Sequence, residues 1–451
     1  MKISFLGATE TVTGSKYLLE EGKQKVLIDC GLFQGHKNLR LRNWAKLPFD
    51  PAAIDAVVLT HAHIDHSGHI PLLVKQGFRG KIYCSSATFD LCKILLPDSG
   101  YLQEEDARRA NKYGYSKHTP ARPLYTEKDA RAALKFFEPV AFNTKVKISE
   151  TLTIKLRSAG HILGASFIQV DNGHKSIVFS GDLGRPHDPV MPAPEHVTQA
   201  DYLVVESTYG SRLHEQTDPM EMIGKIITST AAKGGTVIIP AFAVGRTQNL
   251  LYYIHQLKSR GLLPNIPVFL DSPMAINATN LLNLHQKDHR HSAKEWSEIC
   301  KVATYIKTVE DSKELDRQTM PSVIISASGM ATGGRILHHL KTYLGNNRNT
   351  ILFTGFQAAG TRGDRLIRGE KEIKIHGQMW PVRARIESMT NTSAHADYQE
   401  ILDWLGYLKT APKKIFITHG EVKASAFLKE KITEKFGWTV SIPKYKDQEA
   451  L

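Results

Sequence analysis

Residues 60–66 read THAHIDH and directly follow a short apolar run, and the expected architecture is built from this segment. It holds three histidines and an aspartate, and imidazole and carboxylate are the ligands that Zn²⁺ favours at hydrolytic sites. Alternation along an extended segment puts His61 and His63 on one side. The tighter step at Asp65 and His66 turns these two donors toward a neighbouring position. A solvated turn is the alternative, but four such donors rarely cluster without a metal.

Three more donors lie in similar settings elsewhere in the chain. His161, Asp182 and His419 each lie at or shortly beyond the end of an apolar run typical of a strand. Loops held by a rigid sheet often carry functional residues at such positions. An aspartate can also bridge two metals, so we expect a two-metal hydrolytic site. Its ligands would be His61, His63, Asp65, His66, His161, Asp182 and His419.

These residues, together with Asp29 after another strand-like run, resemble the metallo-β-lactamase signature. Three further segments narrow the resemblance to the β-CASP nucleases, which include the endonuclease subunit of the mRNA 3′-end cleavage factor and RNase J. They are residues 204–210 around Glu206, residues 393–397 around His395, and residues 418–421. The motifs occur in the family's order and span nearly the whole chain.

A new α/β pattern starts near residue 234, where a strand pattern meets a glycine turn and a helix pattern. Strands that alternate with helices predict a parallel sheet with helices on its faces. Because His419 is needed at the metals, the C-terminal part must rejoin the first domain. We therefore expect an αββα metallo-β-lactamase sandwich with an inserted α/β β-CASP domain, and an active site in the cleft between them. The predicted limits are 1–205 and 386–451 for the metallo-β-lactamase domain and 206–385 for the insertion.

The resemblance implies a role for each metal ligand. One zinc ion would be held by His61, His63 and His161, the other by Asp65, His66 and His419, with Asp182 bridging. The chain would thus bind two Zn²⁺, and a water molecule activated between them would attack phosphorus.

The resemblance also implies roles for three residues outside the ligand set. Asp29 would orient a ligand or the nucleophile. His395 would donate a proton to the leaving 3′-oxygen, and Glu206 would orient its imidazole. We therefore count Asp29, Asp65, Asp182, Glu206 and His395 as the catalytic residues.

Three loops that follow predicted strands are candidates for binding substrate phosphates: 271–275, 326–335 and 354–363. In glycine-rich turns the backbone N–H groups can converge on an anion, although packing turns are commoner. The side chains chosen as phosphate ligands are Ser272, Arg335, Arg362 and Arg246. In contrast, we expect His338 and His339, on a predicted helix, to lie at the surface.

Composition sets the broad class. The 451 residues are enough for two domains with cores of their own, and 41% are hydrophobic. No apolar run reaches the ~18 residues that a membrane span needs. Four widely spaced cysteines without a Cys-x-x-Cys pair indicate reduced thiols and a cytoplasmic location. We see no appended domain after the His419 motif, so we expect a monomer or a weak homodimer acting alone to be as plausible as a subunit of a complex.

The formal net charge of +13 favours a polyanionic partner, and a hydrolytic metal site beside it makes RNA the leading substrate. The leading function is a zinc-dependent ribonuclease, acting as an endonuclease, a 5′→3′ exonuclease or both. The alternatives are a DNA nuclease, a hydrolase of small esters or thioesters, and a non-catalytic RNA-binding protein. DNA-directed β-CASP enzymes tend to carry valine where this chain has His419. The complete ligand set argues against a non-catalytic protein.

Overall fold

The computed structural model describes residues 1–114, 116–355, 357–358 and 360–451. These residues divide into two compact units. The first unit comprises Met1–Asp188, Ala193–Leu213 and His395–Leu451, and the second comprises Pro189–Pro192 and His214–Ala394.

The first unit begins with β1 (Lys2–Phe5), β2 (Tyr17–Glu21), β3 (Gln24–Ile28), α1 (Lys37–Arg42), β4 (Ala56–Val58), α2 (Ile64–Ser67), α3 (Ile70–Lys75), β5 (Lys81–Cys84), α4 (Ser86–Tyr113), α5 (Glu127–Ala133), β6 (Phe137–Pro139), β7 (Lys145–Lys147), β8 (Thr153–Ser158), β9 (Ser166–Asp171), β10 (Ser176–Phe179) and β11 (Tyr202–Glu206). The second unit contains α6 (Pro219–Ala231), β12 (Val237–Pro240), α7 (Arg246–Ser259), β13 (Val268–Leu270), α8 (Pro273–Leu284), α9 (Ala293–Cys300), β14 (Thr304–Tyr305), α10 (Val309–Leu315), β15 (Val323–Ser326), α11 (Ile336–Tyr343), β16 (Thr350–Thr354), α12 (Arg362–Ile367), β17 (Glu372–Ile375), β18 (Gln378–Pro381) and β19 (Arg385–Met389). The first unit resumes with α13 (Tyr398–Leu405), β20 (Lys414–Thr418), α14 (Val422–Phe436), β21 (Val440–Ser441) and β22 (Gln448–Ala450).

The first unit is built on two seven-stranded sheets. Their strand orders are β22-β1-β2-β3-β4-β5-β6 and β21-β20-β11-β10-β9-β8-β7. In the second sheet, β11 pairs in parallel with both β10 and β20. Strand β22 pairs antiparallel with β1. The last sixty residues of the chain therefore contribute strands to both sheets.

One hydrophobic core lies between these two sheets and draws on both of them. Phe5 and Ile28 come from the first sheet, and Phe179 and Phe416 from the second. The rings of Phe5 and Phe416 are 5.1 Å apart between centroids. Such burial of one face of each sheet is the main driving force for this layered arrangement.

A second core lies between the outer face of the second sheet and helices α13 and α14. The Trp404 ring of α13 meets Phe167 of β9 edge-on at 5.5 Å, and Leu428 of α14 is fully buried in the same cluster. On the side of the first sheet, α3 and α4 contact α5, and α4 also contacts β6. This layering confirms the predicted sandwich.

The second unit is built on a six-stranded sheet in the order β14-β13-β15-β12-β16-β19, and all its neighbouring strands are parallel. A separate antiparallel hairpin joins β17 and β18. The predicted fold class of the insertion, an α/β domain on a parallel sheet, is confirmed. Its predicted limits remain a prediction. The compact units change at residues 213–214 and 394–395, and β19 belongs to the second unit because it pairs with β16.

The motif residues of the first unit lie at strand ends and in loops of both sheets. In the second sheet, Glu206 ends β11, and Asp182 and His419 follow β10 and β20; these three strand ends lie at one edge of the sheet, since parallel pairing sets Glu206 opposite Thr418 and Phe179 opposite Val204. His161 lies between β8 and β9 of the same sheet and His395 precedes α13, while Asp29 follows β3 and residues 61–66 follow β4 in the first sheet. In the part of the chain that the structure describes, no helix is long and apolar enough to cross a membrane.

Candidate metal centre

The loop after β4 is held in place by its own backbone and by the loop after β3. His66 and Ser67 both donate backbone hydrogen bonds to the carbonyl of His63, at 2.9 Å, which starts α2. Cys30 N donates to His66 O at 2.7 Å. Gly31 lies so close that an added Cβ would be 1.6 Å from the carbonyl oxygen of Asp65. The donors of residues 61–66 therefore sit on a fixed loop.

The first group of converging donors contains His61, His63, His161 and Asp182. The Nε2 atom of His61 is 3.1 Å from Nδ1 of His63, and Nε2 of His161 is 3.3 Å from the same atom. Oδ2 of Asp182 is 3.4 Å from His61 Nε2 and 3.5 Å from His161 Nε2. All four ligand atoms lie within 4.8 Å of one another.

The second group contains Asp65, His66 and His419. Nε2 of His66 is 3.1 Å from Nε2 of His419, which is 3.6 Å from Oδ2 of Asp65. Here the other oxygen of Asp182 takes part: Oδ1 is 3.3 Å from His66 Nε2 and 3.4 Å from His419 Nδ1. The carboxylate of Asp182 thus faces one group with each of its oxygens.

Three observations indicate that this set of donors can bind zinc. Tetrahedral zinc with Zn–N bonds near 2.0–2.1 Å separates its ligand atoms by about 3.3 Å, and the donor pairs described above are 3.1–3.6 Å apart. The chemistry is right, because imidazole and carboxylate suit this metal. Oδ1 of Asp182 is also buried, and within the described residues none of its contacts, including those to His66 and His419, has hydrogen-bond geometry, although a buried carboxylate oxygen normally has a partner.

A second layer of side chains orients the donors. Oδ2 of Asp29 is 2.7 Å from Nδ1 of His66 and accepts a hydrogen bond from the Ser15 hydroxyl at 2.9 Å. Thr60 donates to Asp29 from both its backbone N–H and its hydroxyl. On the other side, the Thr208 hydroxyl is 3.1 Å from Nδ1 of His419. Partners of this kind fix the ring orientation of ligating histidines.

His395 lies beside this centre and pairs with Glu206. Its Nδ1 is 3.2 Å from Oε1 of Glu206, which also accepts a hydrogen bond from Leu183 N at 2.6 Å. The ring centroid of His395 is 4.5 Å from that of His161. Burial alone would lower the pKa of His395, but the charge and hydrogen bond of Glu206 and the charge of Asp182 outweigh burial and raise it.

Family models match most of the chain. The Metallo-beta-lactamase superfamily model matches residues 11–217, the Beta-Casp domain model residues 247–366, and the model for the Zn-dependent metallo-hydrolase RNA specificity domain residues 379–443. Ribonuclease TTHA0252 of Thermus thermophilus is 35% identical over 431 residues, which cover 93% of this chain and 93% of that protein. The chain belongs to the metallo-β-lactamase β-CASP RNA nuclease family. The predicted enzyme class, a hydrolytic nuclease, is thereby confirmed.

Other relatives agree with this assignment. The RNase J-like protein of Methanocaldococcus jannaschii is 31% identical to this β-CASP chain over 435 residues, covering 93% of it and 92% of that protein. The transcription termination factor FttA of Methanosarcina mazei is 29% identical over 454 residues, covering 96% of this chain and 69% of that protein. A crystal structure of a protein of unknown function from Enterococcus faecalis V583 shares the fold, with a TM-score of 0.56 at 12% identity over 100% of this chain and 99% of that one.

The four predicted phosphate ligands of this β-CASP protein all lie in its second unit. The side chains of two of them form hydrogen bonds with the backbone. The Ser272 hydroxyl caps α8 by accepting a hydrogen bond from Ala275 N at 3.2 Å, and Nε of Arg362 donates one to Lys374 O at 2.8 Å. Two residues of the loop that precedes Arg362, Phe356 and Ala359, lie outside the described residues.

The other two predicted phosphate ligands contact side chains. Nη1 of Arg246 donates to the Thr392 hydroxyl at 3.0 Å. Nη1 of Arg335 is 2.5 Å from Oδ1 of the fully buried Asp271. The charge of Arg335 is therefore compensated within the protein, and the phosphate-binding role of all four residues remains a prediction.

Sequence reasoning missed a buried charge cluster in the β-CASP unit. The prediction that His339 lies at the surface is wrong, because its side chain is fully buried. Its two ring nitrogens are each 2.7 Å from a carboxylate, Oδ2 of Asp271 and Oδ1 of Asp316. Burial opposes the charged imidazole, but hydrogen bonds with both aspartates outweigh it and raise the pKa of His339 to about 9. Helical periodicity could have found His339, because it lies three residues after Ile336 and four before Tyr343, on the apolar face of α11.

Proposed function

We propose that this chain is a zinc-dependent ribonuclease that binds two Zn²⁺ and hydrolyses phosphodiester bonds of RNA. One observation carries the proposal. The carboxylate of Asp182 is shared between two groups of donors, and the His395–Glu206 pair lies beside them. That arrangement combines metal-assisted hydrolysis with general acid catalysis.

The residues would divide the metal binding as follows. One ion would be held by His61, His63, His161 and Asp182, and the other by Asp65, His66, His419 and Asp182. When bound, the two ions supply Lewis acidity and a water molecule of lowered pKa that can attack phosphorus. The carboxylate of Asp29 accepts a hydrogen bond from Nδ1 of His66, so Nε2 is the ring nitrogen that would bind the metal.

His395 is the proposed general acid. Its Nδ1 faces Glu206, so the Nδ1–H donates to the carboxylate and Nε2 carries the proton that is transferred to the leaving 3′-oxygen. Glu206 is itself held by backbone N–H groups of Leu183 and Thr208, at 2.6 and 3.2 Å. The proton-donating imidazole therefore has a fixed orientation and a raised pKa, which keeps it protonated to higher pH.

The proposed substrate is RNA, supported by the family and by the net charge of +13. We also propose a cytoplasmic location, in keeping with four free cysteines, three of which are buried. A monomer or a weak homodimer remains our proposal for the oligomeric state.

The test is to incubate the zinc-loaded protein with internally labelled single-stranded RNA and with DNA of the same sequence, and to size the products. We expect RNA fragments from the wild type and from His174→Ala, an exposed-histidine control, and strongly reduced cleavage by His395→Ala. A ladder of fragments identifies an endonuclease and mononucleotides an exonuclease. Metal-replete protein that leaves RNA intact but cleaves DNA or small esters would overturn the proposal.

A further inference from the structure

A basic surface segment follows β3 in the first unit. Residues 34–46, which we name the strap, contain five basic side chains including histidine, and no acidic residue occurs between Asp29 and Asp50. Helix α1 lies within the strap and buries none of its residues. The strap also exposes two large apolar side chains, Leu41 at 57% and Trp44 at 59%.

The cations of the strap have no acidic partners. Lys37, Arg40 and Lys46 are exposed and form no ion pair within the described residues, whereas other surface cations of this unit do, as in the pair of Lys75 with Asp129. Exposed cations clustered without counter-charges leave a positive field at the surface. An exposed tryptophan among them adds a flat apolar face of the kind on which nucleic-acid bases stack.

The base of the strap is fixed while Lys37, Arg40 and Lys46 stay exposed. The amide side chain of Asn43 exchanges two hydrogen bonds with the backbone of Phe33, both 2.8 Å long. The guanidinium of Arg42 lies 4.3 Å from the ring centroid of Tyr445 and 5.4 Å from that of Phe33. Cation–π contacts of this kind stabilise one arrangement of α1. The strap is thus a preformed surface.

The strap also begins next to the metal-ligand loop. Leu32 N donates to Ile64 O at 3.0 Å, and Cys30 N donates to His66 O at 2.7 Å. The first residue of the strap, Gln34, is only two positions after Leu32, so the strap starts where the chain moves away from the metal-ligand loop. A polynucleotide with one phosphodiester at the metal centre would therefore extend over nearby protein surface, where the strap offers positive charge.

We propose that the strap is a docking surface for single-stranded RNA, with phosphates contacting Lys37, Arg40 and Lys46 and a base stacking on Trp44. This inference rests on the proposed ribonuclease function and adds a substrate contact outside the metal centre. A second copy of the chain is the competing occupant. A symmetric contact through the strap would bring the same unpaired cations of both copies together, and like charges repel.

The test measures binding of a fluorescent single-stranded RNA of about 20 nucleotides by anisotropy, in a His395→Ala background that prevents turnover. The variant Lys37→Ala/Arg40→Ala/Lys46→Ala removes three cations. Its matched control, Lys128→Ala/Lys145→Ala/Lys147→Ala, removes three exposed lysines of the same unit that also form no ion pair within the described residues. Trp44→Ala tests stacking separately.

We expect the strap variant to bind RNA at least about tenfold more weakly, with the slope of log K against log salt smaller by about 2, since each phosphate contact on a single strand contributes about 0.7. The control should bind as the parent does. Trp44→Ala should weaken binding about tenfold with the slope unchanged. Strap and control variants that bind equally well would overturn the inference while leaving the ribonuclease proposal intact.

Light scattering on the same proteins tests the competing occupant. If the parent is a dimer that the strap variant dissociates, with RNA affinity unchanged, the strap is a contact between copies and the inference is wrong. Parent protein that binds no RNA at all would remove both this inference and the function on which it rests.

Discussion

The carboxylate of Asp29 lies 2.7 Å from Nδ1 of His66, and both side chains are buried. This contact decides which ring nitrogen of His66 faces the converging donors. Asp29 is itself fixed by hydrogen bonds from Ser15 and Thr60. The orientation of the proposed ligand His66 therefore depends on three residues that are not themselves proposed ligands.

Replacing Asp29 by asparagine should weaken zinc binding without abolishing it. The amide can still contact His66 but carries no charge to raise the basicity of its imidazole, and changes at such positions typically cost 10–100-fold in metal affinity. Competition with a zinc chelator measures the loss. Asp403→Asn, which removes an exposed carboxylate, serves as the control. Equal zinc affinity in both variants would contradict the orienting role.

Asp182→Ala should affect both ions, because its two oxygens face different donor groups. His161→Ala should affect one ion, since His161 belongs to the first group alone. Native mass spectrometry can count the zinc ions bound per chain. We expect Asp182→Ala to lower zinc occupancy at both metal positions and His161→Ala to leave one zinc ion tightly bound. Full zinc content and full activity in Asp182→Ala would rule out the bridging assignment.

The pair of His395 and Glu206 predicts a shift in the pH dependence of cleavage. An acid catalyst works below its pKa, and Glu206 raises the pKa of His395. Glu206→Gln removes that charge, so the alkaline limb of the kcat profile should move to lower pH. Glu434→Gln, at an exposed site on α14, should leave the limb in place. If the alkaline limb of Glu206→Gln lies at the same pH as that of the wild type, even with a lower rate, Glu206 does not raise the pKa of His395.

The buried His339 makes the second unit less stable in alkaline solution. Its pKa is raised to about 9 in the folded state, above an unfolded value near 6.5. The charged imidazole therefore stabilises the fold fully below about pH 6.5, and this contribution, on the order of 3 kcal/mol, is lost as pH rises to about 9. Pulsed hydrogen exchange with increasing urea, on peptides spanning residues 267–345, should show the loss in the wild type. His339→Gln should show a flatter pH dependence; an equally steep one would contradict the assignment.

Gly31→Ala should disturb the metal centre from outside it. An added Cβ would lie 1.6 Å from the carbonyl oxygen of Asp65, so the loop of residues 61–66 must move. We expect reduced zinc content and a lower melting temperature. Gly345→Ala is the matched control, because nothing lies within 4 Å of its added Cβ. Unchanged zinc binding in Gly31→Ala would show that the loop tolerates displacement.

Much of the first unit is predictable from local pattern. The apolar run before His419 is the strand Lys414–Thr418, as predicted, and residues 60–66 do follow a strand. The metal ligands also come together only through tertiary packing, and they were predicted because the resemblance to a known family brought them together. No such resemblance pointed to the buried cluster of Asp271, Asp316 and His339. Asp271 and His339 lie 68 positions apart and meet because parallel strands and their helices bring them to one place. The hairpin of β17 and β18 also escaped prediction, as did β14, which has only two residues. Short, half-exposed elements leave little periodicity to detect.

The pairing of β20 with β11 has a consequence for synthesis of the chain. His66 and His419 are 353 positions apart, yet their Nε2 atoms lie 3.1 Å from each other. A nascent polypeptide that has emerged only as far as the second unit still lacks β20, and its second donor group is incomplete. Contacts of such long sequence separation form late in folding. On the ribosome, then, the donor set can be completed only when translation has passed residue 419, which delays assembly of the metal centre until after the whole second unit has been made.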